Sequence, residues 1–355
     1  MRALTSFSGV GVRIGLLGGM LLAAAASLVV YLAPGSALVS AIAQEVTYFR
    51  IGAGAPGSNY YAIAGRISAI VSNPPGSREC DGDIACGVEG LLGLAQTTAN
   101  PIASLKSLRD RVLDAALVSA DIADMALQGS GAFKESGPSE NLRAIANVGE
   151  LVLQVVVPVD AKAADLKGLT GKKIAIGVKD SDSAITARYL LRIGGLADKK
   201  AKLVTGGLET VAQDLDAGKV DALAVVEPLP SPDIAALMAT GKYRLLPVEA
   251  GDQKRPDYVF ASRMSEKEYA RAEPVRVIGV PVVLVVRADL SGEIAGGLLR
   301  ALWDSAARQG GGALPGTIAP NMSRASVPWH PGAAEAYQAM TSAEPATPPA
   351  EAPTN

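Results

Sequence analysis

The chain has 355 residues, of which 49% are apolar and only 4% aromatic, a composition typical of a globular α/β protein long enough for two lobes. Its formal net charge is −2 and its Lys and Arg residues are scattered singly, so no basic face indicates nucleic acid as a partner. The chain has one histidine, His330, which excludes a His-rich metal site. A Ser-His-Asp triad could use only this residue, and its Trp-His-Pro-Gly sequence makes it a poor candidate for a catalytic base.

The N-terminal segment differs from the rest of the chain. Arg2 and Arg13 are its only charges, residues 14–33 are almost wholly apolar, and Ala41-Ile42-Ala43 supplies a small-x-small cleavage pattern. This pattern predicts a signal peptide over residues 1–43 and therefore a periplasmic protein. The apolar run is also long enough to span a membrane, so an uncleaved anchor is the alternative.

Residues 47–70 predict a short strand, a glycine-rich turn and a helix, because apolar residues first alternate and then recur at helical spacing. This order presents free backbone N–H groups at a helix N-terminus, which favours binding of a small anion. An ordinary tight turn is the alternative, and the glycine spacing matches neither a dinucleotide site nor a P-loop. The candidate ligand-binding residues here are Gly54, Gly57, Ser58, Asn59, Tyr60 and Tyr61.

The two cysteines, Cys80 and Cys86, lie on a short glycine-bearing loop. In an exported chain they are expected to form a disulfide, with two unpaired thiols as the alternative. A metal site is less favoured, since no second cysteine pair or local histidine completes four ligands.

The rest of the first lobe is predicted from the same signals. The pattern indicates a surface loop over residues 73–90, followed by a buried strand over 92–98 and a helix over 105–112. A second strand over 115–118 and a second helix over 122–128 follow. Thr98 ends the first of these strands and Ser119 follows the second, so both hydroxyls are candidate ligand contacts. Asp121 is predicted to N-cap the helix that follows, with a ligand contact as its alternative role.

Two apolar segments predict crossings between the lobes. The first segment is predicted to form two strands, residues 142–148 and 151–157, which are joined by Gly149-Glu150 and lead to a second lobe. The second segment, residues 275–287, is interrupted by Pro281 and is predicted to carry the chain back to the first lobe. Between them, strands are predicted at 173–177, 203–205 and 220–226, and helices at 184–193, 208–217 and 234–239. Strand and helix alternate, which predicts a mostly parallel sheet with ligands at the carboxyl ends of its strands, where Ser181, Asp182, Ser183 and Glu227 lie.

The C-terminal part completes the predicted organisation. Residues 294–308 read as an amphipathic helix, His330 as a structural residue before a helix over 333–340, and the proline-rich residues 343–355 as a disordered tail. The predicted domains are lobe 1 (residues 44–153 and 282–342) and lobe 2 (residues 154–281).

A known family shares these features. The segment Ile-Gly-Ala-Gly-Ala-Pro-Gly-Ser-Asn-Tyr-Tyr at 51–61 resembles the opening of the immunogenic-protein (TAXI) class of TRAP transporter solute-binding subunits. Further matches follow in the family's order at 119–121, 129–133, 165–168, 171–173, 218–222, 230 and 329–333. The likeness covers residues 46–337.

The resemblance implies a two-lobed type II periplasmic binding protein with a hinge of two crossing segments. Such a protein captures a small carboxylate or amino-acid-like solute and delivers it to the membrane subunits of a TRAP permease, without catalytic residues or a cofactor. A periplasmic sensor or orphan binding protein of the same fold is the alternative. An enzyme would need a pair such as Asp182 and Glu227, as in glycosidases.

Three departures from the family bear on the solute. Residues 100–104 lack the family's serine, Ala120 precedes Asp121 where the family has serine, and residues 180–183 read Asp-Ser-Asp-Ser instead of Gly-Ser-Gly-Thr. The acids at 180 and 182 would repel a bound carboxylate unless they point outward or cap the helix. These departures leave open a solute that carries an amine or several hydroxyls.

Overall fold

The computed structural model describes residues 45–77, 86–196, 199–251, 255–270, 272–308 and 320–342. The predicted signal peptide, Cys80 and the proline-rich tail lie outside these residues. Export, the pairing of Cys80 with Cys86 and the disordered tail therefore stay predictions.

The described strands and helices are numbered here in chain order. The strands are β1 (Thr47–Gly52), β2 (Ser72–Asn73), β3 (Val88–Glu89), β4 (Leu91–Gln96), β5 (Ala115–Ser119), β6 (Leu142–Pro158), β7 (Lys173–Ala175), β8 (Lys202–Val204), β9 (Ala222–Glu227), β10 (Tyr243–Leu245), β11 (Phe260–Met264) and β12 (Val275–Arg287). The helices are α1 (Asn59–Val71), α2 (Pro101–Arg109), α3 (Ala120–Gln128), α4 (Asp182–Ile193), α5 (Leu208–Asp216), α6 (Pro232–Ala239), α7 (Gly292–Arg308) and α8 (Pro331–Ser342). Single 3₁₀ turns lie at Gly131–Phe133 and Leu166–Leu169.

One mixed sheet organises the described chain, with the strand order β4-β1-β5-β12-β6-β9-β7-β8. Two parallel sets, β4-β1-β5 and β9-β7-β8, are joined by the antiparallel strands β12 and β6. We call the first set with α1–α3 the first half, and the second set with α4–α6 the second half. The predicted α/β fold class is confirmed.

The crossing strands are more continuous than the sequence predicts. β6 is one strand and not two, because Gly149 and Glu150 pair with Val282 and Pro281 of β12 and so continue the ladder. The pairing of the two strands shifts register between Val282 and Val283 and again between Leu284 and Val285 of β12, as at a β-bulge. Both strands are buried almost throughout, which explains their continuous apolar sequence.

Several local expectations need correction. The predicted loop over 73–90 is bounded by β2 and β3, which pair in parallel. β4 ends at Gln96, so Thr98 lies beyond the strand and not at its end. The sequence analysis missed β10 and β11, which add to β6 and β12 in antiparallel pairs. Both strands are short, and a three- to five-residue strand carries little periodicity of its own.

His330 has the structural role that its sequence setting predicts. Its side chain is buried, and its Nδ1 atom accepts a hydrogen bond from the backbone N–H of Gly332 at 3.3 Å. The Nε2–H group therefore donates to the carbonyl oxygen of Leu290 at 3.0 Å. Both bonds fix the start of α8.

The helices of the described residues pack around this sheet, and none of them combines the length and hydropathy needed to cross a bilayer.

Candidate functional site

Three helices from the two halves begin with a serine in the same backbone conformation. Ser58, Ser119 and Ser181 are the N-cap residues of α1, α3 and α4, with φ of −73°, −72° and −71°. The hydroxyls of Ser58 and Ser181 accept hydrogen bonds from backbone N–H groups of the first helical turn. The hydroxyl of Ser119 makes no such cap, which leaves it available for another partner.

That partner is Thr186 on α4. The Oγ atoms of Ser119 and Thr186 are 2.9 Å apart, and the Thr186 hydroxyl donates to Oδ1 of Asp121 at 3.2 Å. All three residues are at most 1% exposed. This network joins the first half to the second. Sequence reasoning missed Thr186, although it lies one helical turn beyond Asp182 and hence on the same face of α4.

Asp121 does not have the predicted capping role. Helix α3 begins at Ala120, with Ser119 as its N-cap, so Asp121 lies in the first turn and not before it. A carboxylate is favoured at either position by the exposed N–H groups and the dipole of the helix, and for this reason the local sequence does not distinguish them.

Tyr60 lies among the acids of both halves. Its side chain is 1% exposed, and its hydroxyl finds no hydrogen-bond partner among the described residues. Burial raises the pKa of this phenol, and the charges of Asp182, Asp121 and Glu227 raise it further, while the nearby Ser119 hydroxyl opposes the shift without meeting the geometry of a hydrogen bond. Of the two tyrosines that the sequence singled out, Tyr60 therefore faces the buried cluster, while Tyr61 is 39% exposed.

A second contact between the halves lies nearer the surface. The side-chain amide of Asn59, at the start of α1, donates to Oε2 of Glu227, at the end of β9. Ser183 supports the same strand end, because its Oγ accepts the N–H of Val226 at 3.0 Å. Asn59, Asp182 and Glu227 are all half-buried.

The three acids of this site have raised pKa values. Burial raises the pKa of Asp121 to about 6, against the opposing effect of the Ser119 and Thr186 hydroxyls. Burial likewise raises the pKa of Glu227 to about 7, with Asn59 opposing it and the charges of Asp182 and Asp233 adding to it. Burial also raises the pKa of Asp182. We call Tyr60, Asp121, Asp182 and Glu227 the acid cluster.

Two tyrosines that sequence reasoning also missed, Tyr189 and Tyr258, form a further link between α3 and α4. The hydroxyl of Tyr258 donates to Oδ2 of Asp124 on α3 at 3.0 Å and lies 2.9 Å from the hydroxyl of Tyr189 on α4. Burial raises the pKa of Tyr258, and its contact with Tyr189 adds to this effect.

The remaining predicted residues, Gly54, Gly57 and Thr98, lie on loops beside α1, and a Cβ atom at Gly54 would come within 3.9 Å of the Tyr60 side chain. Gly54 and Thr98 bind each other, since the Gly54 N–H donates to Thr98 Oγ1 at 3.1 Å and the Thr98 N–H to the Gly54 carbonyl at 3.0 Å. Thr98 Oγ1 also lies 2.6 Å from the hydroxyl of Ser104. Gly57 is exposed with φ of +81°, a conformation that favours glycine. These residues shape the loops around α1.

The NMT1-like family model matches residues 51–339, from β1 into α8. The chain belongs to the NMT1-like family. The match includes the acid cluster and both crossing strands. It does not specify a TRAP transporter, so the TAXI assignment is not confirmed.

Solved structures resemble the fold of this NMT1-like chain at low identity. The alkanesulfonate-binding protein SsuA from Xanthomonas axonopodis pv. citri, bound to MOPS, is 15% identical, with 75% of this chain and 77% of SsuA covered and a TM-score of 0.41. PhnD1 from Prochlorococcus marinus, in complex with methylphosphonate, is 16% identical, with 72% and 82% covered and a TM-score of 0.41. A Xanthomonas citri protein bound to ATP is 14% identical, with 83% and 96% covered and a TM-score of 0.48.

Two surface cavities of this NMT1-like chain lie away from the acid cluster. One, of about 300 Å³, lies beside α2 and is lined by Arg109, Arg111 and Arg287. The other, of about 820 Å³, lies beside β10 and is lined by Lys162, Tyr243 and other residues between positions 159 and 276. Neither contains a residue that the sequence analysis singled out as a ligand contact.

Proposed function

We propose that this protein is an extracytoplasmic solute-binding subunit that captures a small polar solute between its two halves. The observation that carries the proposal is a pair of buried polar atoms without partners at the junction of the halves. The Tyr60 hydroxyl and Oδ2 of Asp121 both lack hydrogen bonds within the described part of the chain. Leaving such an atom unpaired costs about 1–3 kcal/mol, and a bound solute would supply the missing partner.

The connection between the halves supports a hinge. β6 and β12 carry the chain across the sheet, while the contacts at the acid cluster are individual hydrogen bonds such as Asn59 to Glu227 and Thr186 to Asp121. Breaking these bonds while the crossing strands bend would open the cluster to solvent. The lobes that would move are residues 44–153 with 282–342, and residues 154–281.

The partner that we propose is a membrane permease of the TRAP type, from the resemblance of the sequence motifs. Cells that express the protein with a TRAP permease should take up its solute, and deletion of either component should abolish uptake. Uptake that continues without the permease, combined with a signalling response to the solute, would instead favour a periplasmic sensor.

Solute binding is tested with the protein purified after export. A thermal-shift panel of L-glutamate, succinate, 2-oxoglutarate, L-lysine and cadaverine should contain a compound that raises the melting temperature. At 100 times its Kd, a ligand adds about 2.7 kcal/mol to the stability of the folded state. Small-angle scattering should show whether the same compound makes the protein more compact.

Tyr60→Phe separates binding from folding. The hydroxyl that this change removes has no partner among the described residues, so the ligand-free variant should be at least as stable as the parent. Its affinity for the compound found in the panel should fall about tenfold, since a hydrogen bond of about 1–1.5 kcal/mol is lost. The exposed Tyr48 provides the matched control, Tyr48→Phe, with unchanged affinity. A panel without any binder would contradict the proposed function, and equal affinity in both variants would remove Tyr60 from the site.

A further inference from the structure

The acid cluster contains three carboxyl groups and no cation. Among the ion pairs that the described residues form, none includes Asp121, Asp182 or Glu227. The side-chain donors that act on these acids are all neutral. The Asn59 amide donates to Glu227, and the hydroxyls of Thr186 and Ser119 act on Asp121. The charges that act on Glu227 are those of Asp182 and Asp233, which are both acids.

The helix N-termini at this site already hold acids of the protein itself. Asp182 is the first residue of α4 and Asp121 the second residue of α3. A helix N-terminus is normally the part of a site that attracts an anion, because of its free N–H groups and its dipole. Here an anionic solute would meet carboxyl groups at two of the three helix starts, and like charges in a poorly solvated site repel each other strongly.

A second observation, the unpaired hydroxyl of the buried Tyr60, points to a ligand. The hydroxyl of Tyr60 is fully buried without a partner in the described structure, and the charges of all three acids act on it. Oδ2 of Asp121 is equally buried and unpaired. The Tyr60 hydroxyl can donate and accept a hydrogen bond, and Oδ2 of an ionised Asp121 can only accept one. A solute that brings N–H donors would therefore satisfy both atoms.

We propose that the solute carries a protonated amine or another organic cation, which binds to the carboxyl groups of Asp121, Asp182 and Glu227 and to the hydroxyl of Tyr60. This inference rests on the proposed function and names the chemical class of the solute. Asp182 and Glu227 are half-buried and would meet the cation first, and Asp121 and Tyr60 lie deeper.

The arrangement favours an organic cation over a metal ion. No group of three His, Cys, Asp or Glu side chains in the described residues is arranged to hold a metal ion. An extended cation with several N–H donors can reach carboxyl groups that are too far apart to ligate one ion. It also makes directional hydrogen bonds to each of them.

Protons compete with such a cation. In the ligand-free protein the pKa values of Asp121 and Glu227 are raised to about 6 and about 7, with Ser119, Thr186, Asn59, Asp182 and Asp233 as the groups that act on them. A bound cation lowers both pKa values, so binding releases protons below about pH 7. Affinity should therefore rise with pH between 5.5 and 7.5, by up to about tenfold per pH unit for each proton released.

The test compares probes of one chain length and opposite charge. Calorimetry at pH 7.5 uses cadaverine, 1,5-pentanediol and glutarate, together with putrescine, agmatine, L-lysine and choline as further cations. We expect the tightest binder to be a cation, with glutarate and 1,5-pentanediol at least tenfold weaker. Repeating the titration of that cation at pH 5.5 should give a lower affinity.

Two variants connect the effect to the acid cluster. Asp121→Asn and Glu227→Gln should each weaken binding of the cation at least tenfold. The control Glu268→Gln, whose carboxyl group accepts its hydrogen bonds from Ser265 and not from the cluster, should leave the affinity unchanged. Tight binding of glutarate without binding of any cation would overturn this inference and leave the proposed function standing. Binding of no compound would overturn both.

Discussion

Glu227→Gln is expected to raise the free energy of unfolding of the ligand-free protein at pH 8 by up to roughly 3 kcal/mol and to have little effect at pH 4. The reason is the pKa of Glu227, which burial chiefly raises from 4.5 to about 7. A carboxyl group with a raised folded-state pKa contributes stability that is fully present below pH 4.5 and is lost as the pH rises through about 7. Glutamine mimics the protonated carboxyl group, so it keeps the stability that the parent protein loses.

Urea denaturation of both proteins at pH 4, 6 and 8 measures the effect. The control Glu268→Gln should have the opposite sign, because hydrogen bonds from the hydroxyl and N–H of Ser265 outweigh burial and lower the pKa of Glu268. Glu268 therefore stabilises the fold above pH 4.5, and its replacement should destabilise the protein at pH 8. A parent protein equally stable at pH 6 and 8, with no gain in Glu227→Gln, would contradict the raised pKa.

The positions of the individual helices and strands follow from the sequence, because the patterns that predict each of them lie within a few neighbouring residues. Ser58 and Ser181 each stand two or three residues before the first apolar residue of a helical pattern, and each is the N-cap of the helix that begins there, so that α4 begins two residues before the predicted position 184. The alternation of strand and helix also predicts the two parallel sets of strands. Both kinds of signal act over a few residues, where periodicity and capping chemistry decide the outcome.

The junction of the halves depends on packing that the local sequence does not contain. Thr186 contacts Asp121 only because α4 packs against α3, and the two residues are 65 positions apart. In the same way, Gly149-Glu150 is a typical turn signal, but pairing with β12 overrides it and makes β6 continuous. The ligand roles of the residues that meet there stay predictions, since the arrangement establishes their proximity and not the solute.

The crossing strands should tolerate even one added methyl group poorly at Gly279. Gly279 is buried in β12 and pairs with Val152 of β6. A Cβ atom at this position would lie against the carbonyl oxygen of Leu151 and 2.7 Å from Cζ of Phe260. The backbone of a central strand cannot move away without loss of ladder hydrogen bonds, so Gly279→Ala should destabilise the protein by about 2–3 kcal/mol.

A matched substitution shows whether this cost comes from the crossing strands. Gly65 lies in the exposed part of α1, where a Cβ atom would meet no described atom within 4 Å apart from its chain neighbours and the backbone of its own helix. Gly65→Ala should therefore stabilise the protein by about 0.5–1 kcal/mol, because alanine loses less conformational entropy in a helix than glycine. Urea denaturation of both variants gives the comparison. A Gly279→Ala variant as stable as the parent would contradict this prediction. It would mean that β12 and β6 separate at Gly279 more easily than their continuous pairing indicates, and that the hinge formed by the crossing strands bends more easily than proposed.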